Sequence, residues 1–252
     1  MAFIVTEIGL NHLGDSEYAD AYLDNIIKSK PDAITFQIRE KSFYNNLKDR
    51  KHYLNLPYEY YSKAKKICDK NKIKFGIALA DETLIDLFEN IDVNFYKILS
   101  KDIGNFSLLS KLGKTEKKLF LSTGLAGVNE IEKGLKSIGN FEEKTTLIHT
   151  QLSHSVDHVN LKSIPFLQQT FTMPVGYGHH SANSNVLYLA LAFNPSAIFF
   201  YVKGDKPISH PDEEHSTMLN QLSDVVKNLN QLPKCFGSYS KSKMNTKIKN
   251  MK

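Results

Sequence analysis

Eight strand-length apolar runs alternate with amphipathic stretches along nearly the whole chain, and this alternation limits the fold more than any other feature. The runs are FIVTEIG, AITFQI, KFGIAL, NFYKILS, KLFLST, TTLIHT, MPVGY and AIFFYVK. Each is rich in Ile, Val, Phe, Tyr or Thr, which suit a pleated, half-buried surface. Between them lie segments with helical spacing: SEYADAYLDNIIKS, YEYYSKAKKICDKN, ETLIDLFEN, NEIEKGLKSIG, NSNVLYLALAFN and EEHSTMLNQLSDVVKNLN. In the first of these, Tyr18, Ala21, Tyr22, Asn25 and Ile26 fall on one mostly apolar stripe. Asp15 or Ser16, Asp81 and Asn105 stand where helices should start, and Gly113 and Gly139 where they should stop. Eight such units in one chain of 252 residues predict an α/β fold, a single-domain (β/α)8 TIM barrel over residues 1–232. The rival is a doubly wound open sheet. The count of eight, and the lack of a glycine-rich dinucleotide fingerprint after the first strand, favour the barrel.

A hydrophobic content of 41% is enough for one large core. The opening MAFIVTEIGLNH has no basic start and carries an acid inside its apolar run, unlike a signal peptide. No apolar stretch is long enough to span a bilayer. Cys68 and Cys235 form a lone, distant pair, which fits a reducing compartment. These features predict a soluble, cytoplasmic protein with no membrane partner. The net charge of +5 is mild and concentrates in SKSKMNTKIKNMK; residues 233–252 read as a basic, disordered tail. Basic residues are not interleaved with aromatics on a folded face, so no nucleic-acid partner is expected. The longest irregular piece, REKSFYNNLKDRKHYLNLP, is a candidate lid or substrate loop.

Chemistry in such barrels gathers at the C-terminal strand ends. Those ends carry Glu7, Asn11 and His12; Gln37 and Arg39; Lys97 and Ser100; Ser122, Thr123 and Gly124; His149, Thr150 and Gln151; Tyr177, His179 and His180; and Lys203. Some have ordinary explanations: Glu7 as a helix cap, Ser122 to Gly124 as a plain turn, His149 as a hydrogen-bonded core histidine. Lys97 and Lys203 are harder to set aside, because a lysine ending an apolar strand is rarely buried without a partner. Two lysines, an arginine and hydroxyl-bearing turns around one mouth suit a small anionic substrate bearing phosphate or carboxylate.

Several motifs occur in a familiar order: EIGLNHLGD (Glu7 to Asp15), FQ (Phe36, Gln37), YKILS (Tyr96 to Ser100), LSTGLA (Leu121 to Ala126), VNL (Val159 to Leu161), VGYGHHS (Val175 to Ser181) and PDEEHS (Pro211 to Ser216). In these the chain resembles the sialic acid synthases, over about residues 3–230. The resemblance implies surface-polysaccharide biosynthesis, in which phosphoenolpyruvate condenses with an N-acetylated amino-sugar aldehyde to give a nonulosonic acid and phosphate. It implies a divalent metal, Mn or Mg, that polarises the aldehyde. It puts Glu7 beside the reacting carbons, Lys97, Ser100, Ser122 and Gly124 around the phosphoenolpyruvate, and His180 on the metal. Asn11, His12, Gln37, Arg39, Thr123, His149 and Tyr177 join them as substrate-binding candidates.

The chain also departs from the family pattern. Thr35 stands where the family has lysine, and Ile77-Ala78-Leu79 where it has a serine-threonine-proline turn. Arg39, two positions along the same strand face, is placed to compensate. His179 replaces an aspartate, Tyr201 a glutamate and Lys203 the second metal histidine. Two ideas follow. Either His179 restores the lost ligand, or Lys203 replaces the metal as a cation or Schiff-base nucleophile. Adjacent residues of an extended strand point to opposite sides, which works against His179. The family's C-terminal antifreeze-like domain is not expected here. A homodimer, or association with another synthase, is the partner expectation. A non-catalytic scaffold and a lysine-dependent aldolase using Lys203 remain alternative readings.

Overall fold

The computed structural model describes residues 1–46, 54–238 and 240. Eight parallel strands close into a barrel: β1 (Phe3–Gly9), β2 (Ala33–Ile38), β3 (Lys74–Leu79), β4 (Phe95–Ile98), β5 (Lys118–Ser122), β6 (Thr145–Thr150), β7 (Val175–Gly178) and β8 (Ala197–Lys203). They pair in sequence order, and β8 pairs back onto β1 with Phe3 opposite Ala197 and Glu7 opposite Tyr201. The helices lie between them: α1 (Ser16–Ser29), α2 (Lys41–Asn45), α3 (Tyr58–Lys70), α4 (Ile85–Ile91), α5 (Phe106–Gly113), α6 (Val128–Ile138), α7 (Ser163–Phe171), α8 (Asn185–Ala190) and α9 (Leu222–Gln231). The expected start signals act as caps. Asp15 accepts the backbone N–H groups of Glu17 and Tyr18, Asp81 that of Thr83, and Asn105 that of Leu108. Each such cap contributes about 1 kcal/mol.

Strand alternation divides the apolar residues into two layers. Outward-facing residues, such as Ile8, Phe36, Tyr96 and Tyr177, pack with the helices in one large core. Inward-facing Val5, Ala33, Phe95, Phe120, Ile148, Ala197 and Phe199 fill the barrel axis, with Phe3 at the bottom. Phe95 and Phe199 meet Phe120 edge-on at 5.2 and 4.9 Å, so the lower barrel is a solid aromatic plug. The plug leaves only the upper, C-terminal end for polar groups.

One expected element differs from the structure. The stretch EEHSTMLNQ, expected to open the last helix, is not helical. Glu213–His215 form a 3-10 turn, and Thr217–Met218 form a ninth strand, β9, parallel to Val202–Lys203. The cause is a bracket from β1's end. Asn11 donates its side-chain N–H to the Val202 carbonyl and to Ser216 Oγ, and accepts the Asp212 N–H. Ser216 in turn donates to the Asp212 carbonyl. These bonds hold the segment across the barrel mouth, and the helix begins only at Leu222. The candidate lid contains α2, and its residues 47–53 lie outside the described residues. Of the basic tail, Pro233–Cys235 close a short 3-10 turn after α9; residues 239 and 241–252 lie outside the described residues.

Candidate active site

At the C-terminal mouth lies an open cavity of about 200 Å³. It is lined by Gln37 and Arg39 at the end of β2, by Lys97, Leu99, Ser100 and Lys101 around the end of β4, by Ser122 of β5, and by Ile148, Thr150, Leu152, Gly178, His180 and Tyr201. One parity accounts for the strand members. With Phe95, Phe120, Ile148 and Phe199 inward, residues two further along each strand, Lys97, Ser122, Thr150 and Tyr201, form the next layer up. On β1 the same parity brings in Glu7.

Glu7 and Lys97 form the floor. Lys97 Nζ lies 2.5 Å from Glu7 Oε1, and both side chains are buried. Thr35 donates to the same oxygen at 3.4 Å, whereas Glu7 Oε2 has no partner among the described residues. The ammonium also sits over the Phe199 and Tyr201 rings, 5.2 and 5.6 Å from their centroids. Gly9 is required here. Its φ is +58°, and a Cβ would stand 2.6 Å from the Tyr201 ring. The upper wall carries two ion-paired cations: Arg39 pairs with Glu40 and lies over Phe43, while Lys101 bridges Glu40 and Asp102. Among the described residues, Ser122 Oγ is buried without a partner, and Ser100 Oγ accepts the Gly124 N–H. Such unsatisfied groups beside a cavity are what a polar ligand would engage.

Other expected site residues stand elsewhere. Tyr177 and His179 share the outward parity of β7. The Tyr177 hydroxyl and His179 Nδ1 face each other at 3.3 Å, away from the cavity. His179 therefore does not restore a ligand beside His180, and burial lowers its pKa to about 4. His149 is also outward and bonds the Val159 carbonyl through Nε2, as a core histidine does. With Thr123 and Gly124 it borders a separate cavity of about 150 Å³ under α6 and α7. Asn11 is the bracket described above. His12 accepts the Gly14 N–H in the turn after β1 and is fully buried, its pKa lowered to about 3 by burial. Lys203 lies outside the lining of the cavity that His180 borders. The chain turns away after it, and its ammonium pairs with Glu213 at 2.9 Å on the rim, outside the cavity lining. This pairing gives the ammonium a carboxylate partner, which speaks against its replacing a metal or serving as an unpaired Schiff-base lysine.

Sequence reasoning passed over three groups. Lys101 lines the cavity. Asp212 lies against Gly9 and Tyr201, and burial, helped by the Glu7 charge, pushes its carboxyl up to about 7. His215 is delivered by the 3-10 turn after β8. Its ring centroid lies 4.6 Å from that of His180, and neither of its buried nitrogens has a partner among the described residues. The motif PDEEHS contained the signal for both Asp212 and His215, but the segment read as the start of a helix.

The implied metal can be tested against these donors. Among the described residues, no group of three or more His, Cys, Asp or Glu side chains converges closely enough to hold a metal ion. Two imidazoles do converge. Burial, joined by the neighbouring imidazoles and the nearby Lys97 charge, keeps both His180 and His215 neutral, with lone pairs available. The orphaned nitrogens of His215 fit a divalent ion whose remaining positions are filled by substrate or water.

A family model described as the NeuB family matches residues 20–241. The chain belongs to the NeuB family. An uncharacterized protein of Methanocaldococcus jannaschii is 30% identical to it, covering 96% of this chain and 74% of that one. The N,N'-diacetyllegionaminic acid synthase of Campylobacter jejuni is 27% identical over 98% of this chain and 81% of its own length. The crystal structure of an N-acetylneuraminic acid synthetase from Leptospira borgpetersenii superposes with a TM-score of 0.87 at 25% identity, covering 97% of this chain and 88% of that one. Named relatives of this NeuB chain are thus synthases of sialic, legionaminic and pseudaminic acids. Among the described residues, no helix is long and apolar enough to cross a membrane.

Proposed function

We propose that this chain is an enzyme condensing phosphoenolpyruvate with an amino-sugar-type aldehyde, forming a nonulosonic acid and releasing phosphate. The observation that carries the reading is the buried Glu7–Lys97 pair at the floor of a cavity walled by Arg39, Lys101, Ser100 and Ser122. Cations and hydroxyls in that number suit a ligand with two anionic ends, each charge-assisted bond contributing about 1.5–3 kcal/mol. Thr35 adds no cation of its own to this wall, and Arg39 and Lys101 supply the charge from the rim.

The chemistry assigned to these residues follows. Arg39, Lys101, Ser100 and Ser122 hold the phosphate and carboxylate, so that C3 of the enol faces the aldehyde. When bound, a divalent metal would polarise the aldehyde oxygen, with His180 among the residues holding it. C3 bonds to the aldehyde carbon, and the new alkoxide takes a proton to become a hydroxyl. C2 is left as an oxocarbenium, with Glu7 below it as the nearby negative charge. Glu7, through its free Oε2, takes a proton from the water that adds to C2. Cleavage of the C2–O bond to phosphate then gives the 2-keto acid. Lys97 holds Glu7 in place.

The test is phosphate release from phosphoenolpyruvate with a panel of N-acetylated amino-sugar aldehydes, with the product identified by mass. Turnover with one of them supports the reading. Absence of turnover across the panel, together with no thermal shift on adding phosphoenolpyruvate, would favour a scaffold role for the barrel.

A further inference from the structure

We propose that His215, carried by the turn after β8, is a metal ligand, and that with His180 it makes a two-imidazole site selective for nitrogen-preferring first-row divalent ions over Mg2+. The inference concerns binding alone. It rests on the proposed function only in placing the ion beside the substrate cavity.

The geometry supports it at three points. The first is ring spacing. With metal–nitrogen bonds of about 2.0–2.1 Å, an ion lies about 3.2 Å from each ring centroid, so two imidazoles on adjacent octahedral positions stand about 4.5 Å apart. His180 and His215 are 4.6 Å apart, with their planes at 37°. The second is preorganisation. His180 Nδ1 lies 2.7 Å from Thr150 Oγ1, which orients the ring and leaves Nε2 for a ligand, as an outer hydrogen bond does around bound metals. His215 is clamped without using either nitrogen: the His154 ring stacks on it at 5.0 Å and 17°, and Tyr201 meets it edge-on at 5.1 Å. His154 is itself tied to the His180 carbonyl at 2.8 Å. The third is the unmet demand of the ring. A buried imidazole with both nitrogens unpaired is a costly arrangement for a protein to hold, unless a ligand completes it.

The donor chemistry sets the ion. The affinity of neutral imidazole rises from Mn2+ through Co2+ to Ni2+, and imidazole also suits Zn2+, whereas Mg2+ prefers oxygen and keeps its water. The position also explains how Lys203 can occupy the end of β8: the second histidine comes from twelve residues later, from a turn that Asn11 and Ser216 hold in place.

The experiment uses the full chain, stripped of metal and titrated with Mn2+ by electron paramagnetic resonance and with Co2+ by its visible absorption, with no substrate present. The expected result is one ion per chain, Mg2+ competing only at large excess, and affinity falling at least tenfold in both His180→Phe and His215→Phe. His179→Phe and Lys203→Met should bind as the parent does. His215→Gln, with far-UV circular dichroism to confirm folding, covers the case in which the phenylalanine variant fails to fold. Unchanged affinity in a folded His215 variant overturns the proposal, as does the absence of stoichiometric binding in the parent. Both outcomes are independent of whether phosphoenolpyruvate is turned over.

Discussion

Replacing Lys97 by Met tests whether the floor of the site is a coupled buried ion pair. Glu7 and Lys97 side chains are 2% and 4% exposed, with 2.5 Å between the charged atoms. Met keeps most of the stem's volume against Phe199 and Tyr201, so packing loss is small. The carboxylate of Glu7 is then left buried, with Oε2 already unpartnered and Thr35 its remaining donor at 3.4 Å. Breaking such a pair from one side costs about 3–5 kcal/mol, roughly 150- to 4,000-fold in the folding equilibrium. Removing both charges at once should cost far less, because no uncompensated ion remains. The assay is urea unfolding followed by far-UV circular dichroism for the parent, Glu7→Gln, Lys97→Met and the double variant. The expected coupling in this cycle is at least about 2 kcal/mol, with turnover lost in all three variants. A Lys97→Met cost below about 1 kcal/mol, or additive single costs, would refute the buried pair as described.

Three further outcomes follow from the same geometry. Ser122→Ala removes a hydroxyl with no protein partner, so stability should stay within about 0.5 kcal/mol while KM for phosphoenolpyruvate rises about tenfold or more; an unchanged KM in steady-state phosphate release removes Ser122 from the substrate site. Lys203→Met should leave turnover within about twofold and cost under about 1 kcal/mol, since its pair with Glu213 is partly exposed; a borohydride-trapped adduct on Lys203 would contradict its placement on the rim. Burial depresses the folded-state pKa of His12 to about 3 and of His179 to about 4, below the unfolded value near 6.5. The unfolded chain therefore binds more protons across that window, and the stability present above about pH 6.5 is lost as pH falls toward 4. Each such histidine adds a slope of about 1.4 kcal/mol per pH unit in urea titrations, so His179→Phe should lower the slope by about that amount; a flat profile between pH 6.5 and 4.5 counts against both burials.

The barrel was legible because its signals are local. Six of the eight apolar runs contain their strand with an offset of at most one residue at each end, and Asp15, Asp81 and Asn105 cap where spacing put them. The inner layer of the site was legible for a related reason. Parity along a strand is fixed by the pleat, so Lys97, Ser122 and His180 follow from the position of the aromatic plug below them. The same rule separates Tyr177 and His179 from His180, and His149 from Thr150. Those residues were grouped by nearness in sequence when the pleat puts them on opposite faces. Other outcomes were beyond any local pattern. Lys203 has the inward spacing of Tyr201, yet the strand ends there, and a rim carboxylate ten residues later offers its ammonium a partner without full desolvation. His215 sits in a stretch whose composition reads as the beginning of a helix. What unmakes that helix is Asn11, about two hundred residues upstream, which engages Val202, Asp212 and Ser216 together. A single amide at the end of the first strand thus fixes the turn after the last one. Asn11→Ala should therefore release the segment that carries both Asp212 and His215, and the metal affinity measured for His215→Phe should be approached in a chain whose two imidazoles are intact.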